Sequence, residues 1–252
     1  MHICACLFYS TFVVVNKRAM PTLYLIPTTL GDVAPSACIP QHTIDTTKTL
    51  RYFVVENVRT ARRYLSKLQM PVAIDELLLS ELNEHTRDND LELLLAPLLE
   101  GNDVGLLSEA GVPAVADPGK DLVLLAHQRG IEVVPLVGPS SILLALMASG
   151  LSGQNFAFGG YLPIKEQERI QRIRMLEKRS IQENQAQLFI EAPYRNTKLL
   201  DAFLSTCSNT TKLCVAVNLT LPDEWVKTKS IYEWKQQQPD INKKPCIFIM
   251  QG

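Results

Sequence analysis

Apolar residues fall into short runs along the chain, each stopped by a cluster of small or turn-forming residues. Residues 23–26, 50–55, 104–107, 131–137, 187–190, 213–217 and 246–250 read as strands, because each run is too short for a helix and ends at Gly, Pro, Ser, Asn, Gln or Glu. Helical spacing appears between them. Leu91, Leu94, Leu95, Leu98 and Leu99 recur on one face, a helix starts over 122–126, and another follows through Leu143, Leu144, Leu146 and Met147. Up to Gly138 strand and helix signals alternate, which predicts a parallel sheet flanked by helices. The expected division is an extension over 1–19, an α/β domain over 20–137 and a second over 138–252.

The stops carry more information than the runs. The run at 104–107 breaks into Ser108, Glu109, Ala110 and Gly111 and breaks again at Asp117-Pro118-Gly119. Such a small-residue loop lets the backbone approach a ligand closely, although an ordinary strand-loop-helix corner reads the same way. Asp117 is the expected N-cap of the next helix, with Pro118 at its first position. Pro27-Thr28-Thr29-Leu30-Gly31-Asp32 forces a tight exposed loop after the first strand. Gly138-Pro139-Ser140-Ser141 opens a helix, where backbone amides and a hydroxyl suit a carboxylate and where Ser140 equally suits a plain N-cap.

Charge is local rather than global. Formal net charge is -1 over 252 residues, so nothing draws the whole chain toward a polyanion. Residues 75–103 hold nine acidic side chains against one basic one, Arg87, and read as an amphipathic helix with a solvated acidic face. Lys165, Arg169, Arg172, Arg174, Lys178 and Arg179 outnumber Glu166, Glu168 and Glu177 by three; that helix is the candidate for phosphate contact, beside the plainer reading of a solvated face. The six cysteines show no C-x-x-C pairing, and no His/Cys cluster has metal spacing, so neither a zinc site nor a disulfide framework is expected and a reducing cytoplasm is. The apolar residues 3–15 are too short to span a bilayer. No P-loop, G-x-G-x-x-G fingerprint or G-x-S-x-G elbow is present, which counts against kinase, nicotinamide-enzyme and hydrolase readings.

Ser108-Glu109-Ala110-Gly111-Val112-Pro113 with Ala116-Asp117-Pro118-Gly119 resembles the S-D-A-G-x-P-x-x-x-D-P-G signature of the tetrapyrrole (corrin and porphyrin) methylase superfamily. Further resemblances follow the chain. Residues 27–32 are similar to a P-T-P-I-G-N loop, Glu56-Asn57-Val58-Arg59 to E-D-T-R, and residues 138–141 to the end of V-x-P-x-P-G-P-S-A. Gly160-Tyr161-Leu162-Pro163 is similar to G-F-L-P, and residues 191–195 to E-S-P-H-R. Within the superfamily the likeness is to the small-subunit ribosomal RNA cytidine 2′-O-methyltransferases. The chain departs at Asn57 and Val58, at residues 217–221 where R-E-L-T-K is usual, and at Lys244-Pro245 where Gly-Glu is usual. Of Asn83-Glu84-His85-Thr86, set where H-E-x-N is usual, only Glu84 matches, and His85 reads as a surface residue.

The resemblance implies two α/β domains of the tetrapyrrole methylase type with S-adenosylmethionine bound in the cleft between them, and a homodimer. It implies that translation opens at Met20. The cofactor-binding residues it implies are Leu30, Ser108, Ala110, Gly111, Pro139, Ser140 and Ala216, with no metal. Glu56, Arg59, Glu109 and Glu191 are implied on the acceptor side, and Arg195 is a candidate brace for Glu191. The acceptor implied is a ribose 2′-hydroxyl of a cytidine in small-subunit ribosomal RNA. A methylase of a small, tetrapyrrole-like molecule and a non-catalytic cofactor-binding module remain as alternatives.

Overall fold

The computed structural model describes residues 20–82 and 88–252; the extension over 1–19 and residues 83–87, with His85 and Arg87, lie outside that description. Strands β1 (Thr22–Ile26), β2 (Tyr52–Val55), β3 (Leu78–Glu81), β4 (Val104–Leu107) and β5 (Glu132–Pro135) form a five-stranded sheet in the order β3-β2-β4-β1-β5. Every pairing in it is parallel. Helices α1 (Gln41–Thr49), α2 (Val58–Lys67), α3 (Asp88–Leu99) and α4 (Lys120–Gln128) supply the crossovers.

The period-two alternation of a strand divides this sheet's side chains between two cores. Ile26, Phe53, Val55 and Leu107 turn to one face, where Ala61, Tyr64 and Leu65 of α2 cover them. Leu23, Val54, Val104 and Leu106 turn to the other, against Leu91, Leu95 and Leu98 of α3 and Leu122 and Ala126 of α4.

Strands β6 (Phe156–Tyr161), β7 (Ala186–Ile190), β8 (Lys212–Val217), β9 (Trp225–Ser230) and β10 (Cys246–Gln251) form a second sheet in the order β6-β7-β10-β8-β9. Only β6 and β7 run parallel; β7, β10, β8 and β9 alternate direction. One face packs on α5 (Ser141–Ser149) through Leu188, Cys214, Ala216, Ile247 and Ile249. The other packs on α6 (Glu166–Glu183), α7 (Asn196–Thr206) and α8 (Ile231–Gln236). Phe203 of α7 is the centre of that layer, with ring centroids 5.6 Å from Phe189 and 6.1 Å from Phe248. Edge strand β9 turns Trp225, Lys227 and Lys229 to one side, with the lysine ammoniums over the rings of Trp225 and Trp234.

Three expectations change. Residues 75–103 are not one helix: Ile74–Glu76 is a 3-10 turn, Leu78–Glu81 pairs with β2 as the sheet edge, and helix begins at Asp88. Leucines at 77–79 fit a helical stripe and a strand equally, and pairing with β2 decides between them. Asp117 does not cap α4. Gly119 does, at φ 126°, a conformation that fits because a Cβ there would come within 2.7 Å of Leu106. The basic surplus on α6 shrinks, because the helix extends to Glu183, which takes Arg179 in an ion pair, while Glu168 takes Lys165.

Replacing Phe203, fully buried between two other phenylalanines, by alanine is expected to lower unfolding stability by about 3–5 kcal/mol in urea titration.

Candidate functional site

In a doubly wound parallel sheet, ligands bind beyond the carboxyl ends of the strands where successive crossovers leave in opposite directions. Here that point lies between β1, whose chain proceeds to β2, and β4, whose chain proceeds past β1 to β5. The loops over 27–32 and 108–119 flank it. They are tied together: the Thr28 amide donates to the Gly111 carbonyl at 2.8 Å, the Ser108 hydroxyl donates to the same oxygen at 2.5 Å, and the Thr28 and Ser108 hydroxyls lie 3.2 Å apart. Gly111 turns at φ 85°, and a Cβ on it would sit 3.0 Å from Leu30 and 3.3 Å from the Pro139 carbonyl.

Leu30, Ala110 and Ala216 come together around a cavity of about 240 Å³, joined there by Ile190, Glu191 and Leu219. Ser108, Gly111 and Pro139 stand behind that wall rather than on it: Ser108 and Gly111 fasten the loop, and Pro139 backs Gly111. Ser140 caps α5, its hydroxyl accepting from the Leu143 amide at 3.5 Å, and its neighbour Ser141 lines the cavity. The far side closes through Leu221, whose side chain packs so tightly over Gly31 that a Cβ there would meet it at 2.6 Å.

Among the described residues on the wall, Glu191 alone carries charge. Its carboxylate is 4% exposed and accepts from the Ala192 amide at 2.8 Å and from the Arg195 guanidinium at 2.5 Å, so the expected brace is present. Apolar walls with a carboxylate and no lining cation fit a ligand that carries an adenine ring and a positive sulfonium, as S-adenosylmethionine does.

Glu191, expected on the acceptor side, thus shares a wall with residues expected to bind cofactor, whereas Glu56, Arg59 and Glu109 gather at the ends of β2 and β4. Glu109 is exposed and accepts from the Thr60 hydroxyl. Arg59 is exposed in the first turn of α2, its amide held by the Asn57 side chain at 2.9 Å. Asn57 is the N-cap, accepting from both Arg59 and Thr60 amides, so the departure from E-D-T-R at this position keeps the capping function. Glu56 is half-buried, near enough to Asp117 for the two carboxylates to repel.

Asp117 is the member of this group whose environment the sequence concealed. Burial, then the Glu56 carboxylate, raise its pKa to about 6; a hydrogen bond from the Glu109 amide opposes the rise and the Glu109 carboxylate adds to it. Its Oδ2 is buried without a hydrogen-bond partner. Its place in the Asp-Pro-Gly stop was the available signal. Among the described residues no group of three or more His, Cys, Asp or Glu could hold a metal ion, and no helix is long and apolar enough to cross a membrane.

Residues 44–234 match the sequence model of the tetrapyrrole (corrin/porphyrin) methylases, and the chain belongs to that family. It is a methyltransferase, of a family that in general draws on S-adenosylmethionine. Among relatives, a Vibrio cholerae protein named ribosomal RNA small subunit methyltransferase I is 28% identical, the match spanning 92% of this chain and 77% of the relative. The Xylella fastidiosa protein of the same name is 33% identical, spanning 92% and 81%. Two solved structures share the fold: the methyltransferase CobJ, at TM-score 0.61 and 16% identity over 92% of this chain and 94% of that one, and the cobalt precorrin-4 methyltransferase CbiF, at 0.61 and 15% over 94% and 98%.

Because the folded state raises the Asp117 pKa from 3.8 to about 6, it binds that proton more tightly than the unfolded chain does. The stability this proton contributes is therefore complete at acid pH and is lost as pH climbs through about 6. Asp117→Asn is expected to raise stability by roughly 2 kcal/mol at pH 8 and by almost nothing at pH 4, read from thermal unfolding at the two pH values.

Proposed function

We propose that the chain methylates the ribose 2′-hydroxyl of a cytidine in small-subunit ribosomal RNA, with S-adenosylmethionine held between the two sheets. The observation that carries this reading is the identity, over nine-tenths of the chain, with proteins named as methyltransferases of that RNA. The residue assignment rests on the cavity that Leu30, Ala110 and Ala216 line, and on the loop fastening at Ser108, Gly111 and Pro139 that holds its wall. We divide the chain near Gly138 into two domains, and we read the working unit as a cytoplasmic homodimer.

S-adenosylmethionine supplies an electrophilic methyl group on sulfur. What the chain contributes is alignment in a water-poor cleft, worth roughly 7 to 11 kcal/mol of barrier when reacting groups are held in line. Leu30 and Ala110 form a partition with the donor-side cavity on one side and a second cavity, beside Ser108 and Glu109, on the other. We assign Glu109 to receive the hydroxyl proton, because it stands on the acceptor side of that partition. Glu56 and Arg59 position the same corner, and Glu191 braced by Arg195 supplies the negative charge facing the sulfonium.

A small-molecule methylase is the second reading. Favouring it are the loss of the R-E-L-T-K pattern at 217–221 and the presence there of apolar Leu221 on the cavity wall.

Purified protein and labelled S-adenosylmethionine, incubated with small subunits from cells lacking the gene, are expected to yield one 2′-O-methylcytidine; subunits that gain no methyl group at any site sink the RNA reading. Ala110 is exposed, so Ala110→Phe leaves the core intact while crowding the partition. In calorimetry it is expected to weaken S-adenosylmethionine binding at least about tenfold, near 1.4 kcal/mol.

A further inference from the structure

Three cavities lie in series, each adjoining the next through shared lining residues. The donor-side cavity and its neighbour, each about 240 Å³, share Leu30 and Ala110. The second cavity in turn shares Asp32, Arg63 and Lys67 with a broad surface groove of about 780 Å³, which Arg62 also borders. A substrate too large to enter whole would meet the partition through this groove, with its reacting group inside and the rest of its length outside.

The wall of the groove is α2, and its charge is one-signed. The helix reads VRTARRYLSK, with no acidic residue; Ala61, Tyr64 and Leu65 face the core, and Arg59, Arg62, Arg63 and Lys67 are exposed. Two of these cations meet carboxylates, Arg62 with Asp75 at 3.7 Å and Lys67 with Asp32. Asp75 and Asp32 are 91% and 93% exposed, so these pairs sit in water and yield readily to a stronger anion. Helix α6 differs. It carries Glu166, Glu168, Glu177 and Glu183 among its own basic residues, it pairs two cations internally or at its start, and it lines none of these three cavities but a fourth, which adjoins the donor-side cavity at Glu191 behind the sheet-end carboxylate rather than on the acceptor side.

We infer that the basic face of α2 is the docking surface for the acceptor RNA, with Arg62, Arg63 and Lys67 holding backbone phosphates next to the nucleotide that enters beside Glu109. The inference rests on the RNA reading above and adds where the polymer lies. It also gives Asp32 a meaning: it holds Lys67 and places a negative charge in the phosphate path, so it limits affinity.

The test uses the full chain, a single-stranded RNA oligonucleotide in filter binding across a salt series, and small subunits in methyl transfer. Arg62→Ala with Arg63→Ala is expected to weaken RNA binding about tenfold at moderate salt and to flatten the log-log salt slope by about 0.7 for each phosphate no longer neutralised. KM for small subunits should rise more than kcat falls, with S-adenosylmethionine affinity in calorimetry unchanged. Asp32→Asn should shift RNA binding the opposite way. Arg172→Ala with Arg174→Ala on α6 is the comparison. Wild-type affinity and salt slope in the α2 variant, weakened binding in the α6 variant instead, or weaker binding by Asp32→Asn would each overturn the inference while leaving the RNA reading standing. A wild-type chain that methylates no small subunit removes the RNA reading itself, and this inference with it.

Discussion

One carbonyl oxygen organises the first half of the cleft. The Gly111 carbonyl receives both the Thr28 amide and the Ser108 hydroxyl, so each of its lone pairs has a partner and two loops from neighbouring strands are held at fixed separation. Orienting that carbonyl requires Gly111 at positive φ, and the absent Cβ lets Leu30 and the Pro139 carbonyl close in. The partition of Leu30 and Ala110 follows from this knot. Had the two loops been free to separate, the cavities on either side would merge.

Much of this was legible in sequence, for a physical reason. β1, β4, β8 and β10 are buried apolar runs with hard stops, and at β1 and β4 the stops are Pro27 and Ser108 because only small or rigid residues fit where backbone meets backbone. β6 escaped notice because Gly159 and Gly160 break its apolar pattern, and β9 because WVKTKS alternates like a solvent-facing edge. The acidic stretch misled because its leucines satisfy two periodicities and strand pairing with β2 chooses one. At the site, the loop residues could be read from sequence but not their division into wall and fastening. Ser140 and Ser141 differ by one position, and only the helix start decides that the first caps and the second faces the cavity. Asp117 was hidden because its environment is set by Glu56, which arrives from another strand.

The departures from the family pattern separate into two kinds once placed. Asn57 retains what its position does mechanically, since an amide oxygen caps α2 as a carboxylate would. Leu221 changes what its position offers: where the resemblance expects lysine, an apolar side chain seals against Gly31. Contact between the loops of the two sheets is made there by hydrocarbon, which adds closure and removes a charge from the cavity mouth.

The lysines of β9 bear on a property unconnected with methyl transfer. An outermost strand offers a row of unpaired amides and carbonyls to any other extended chain, and charged side chains along it are a common means of refusing that pairing. Lys227 and Lys229 lie over Trp225 and Trp234 at 5.8 Å and 4.8 Å, so the same two ammoniums shield indole surface and charge the border. Of the four edge strands, β3, β5, β6 and β9, it is this one that lysines guard, and neutralising them would be felt first in colloidal behaviour.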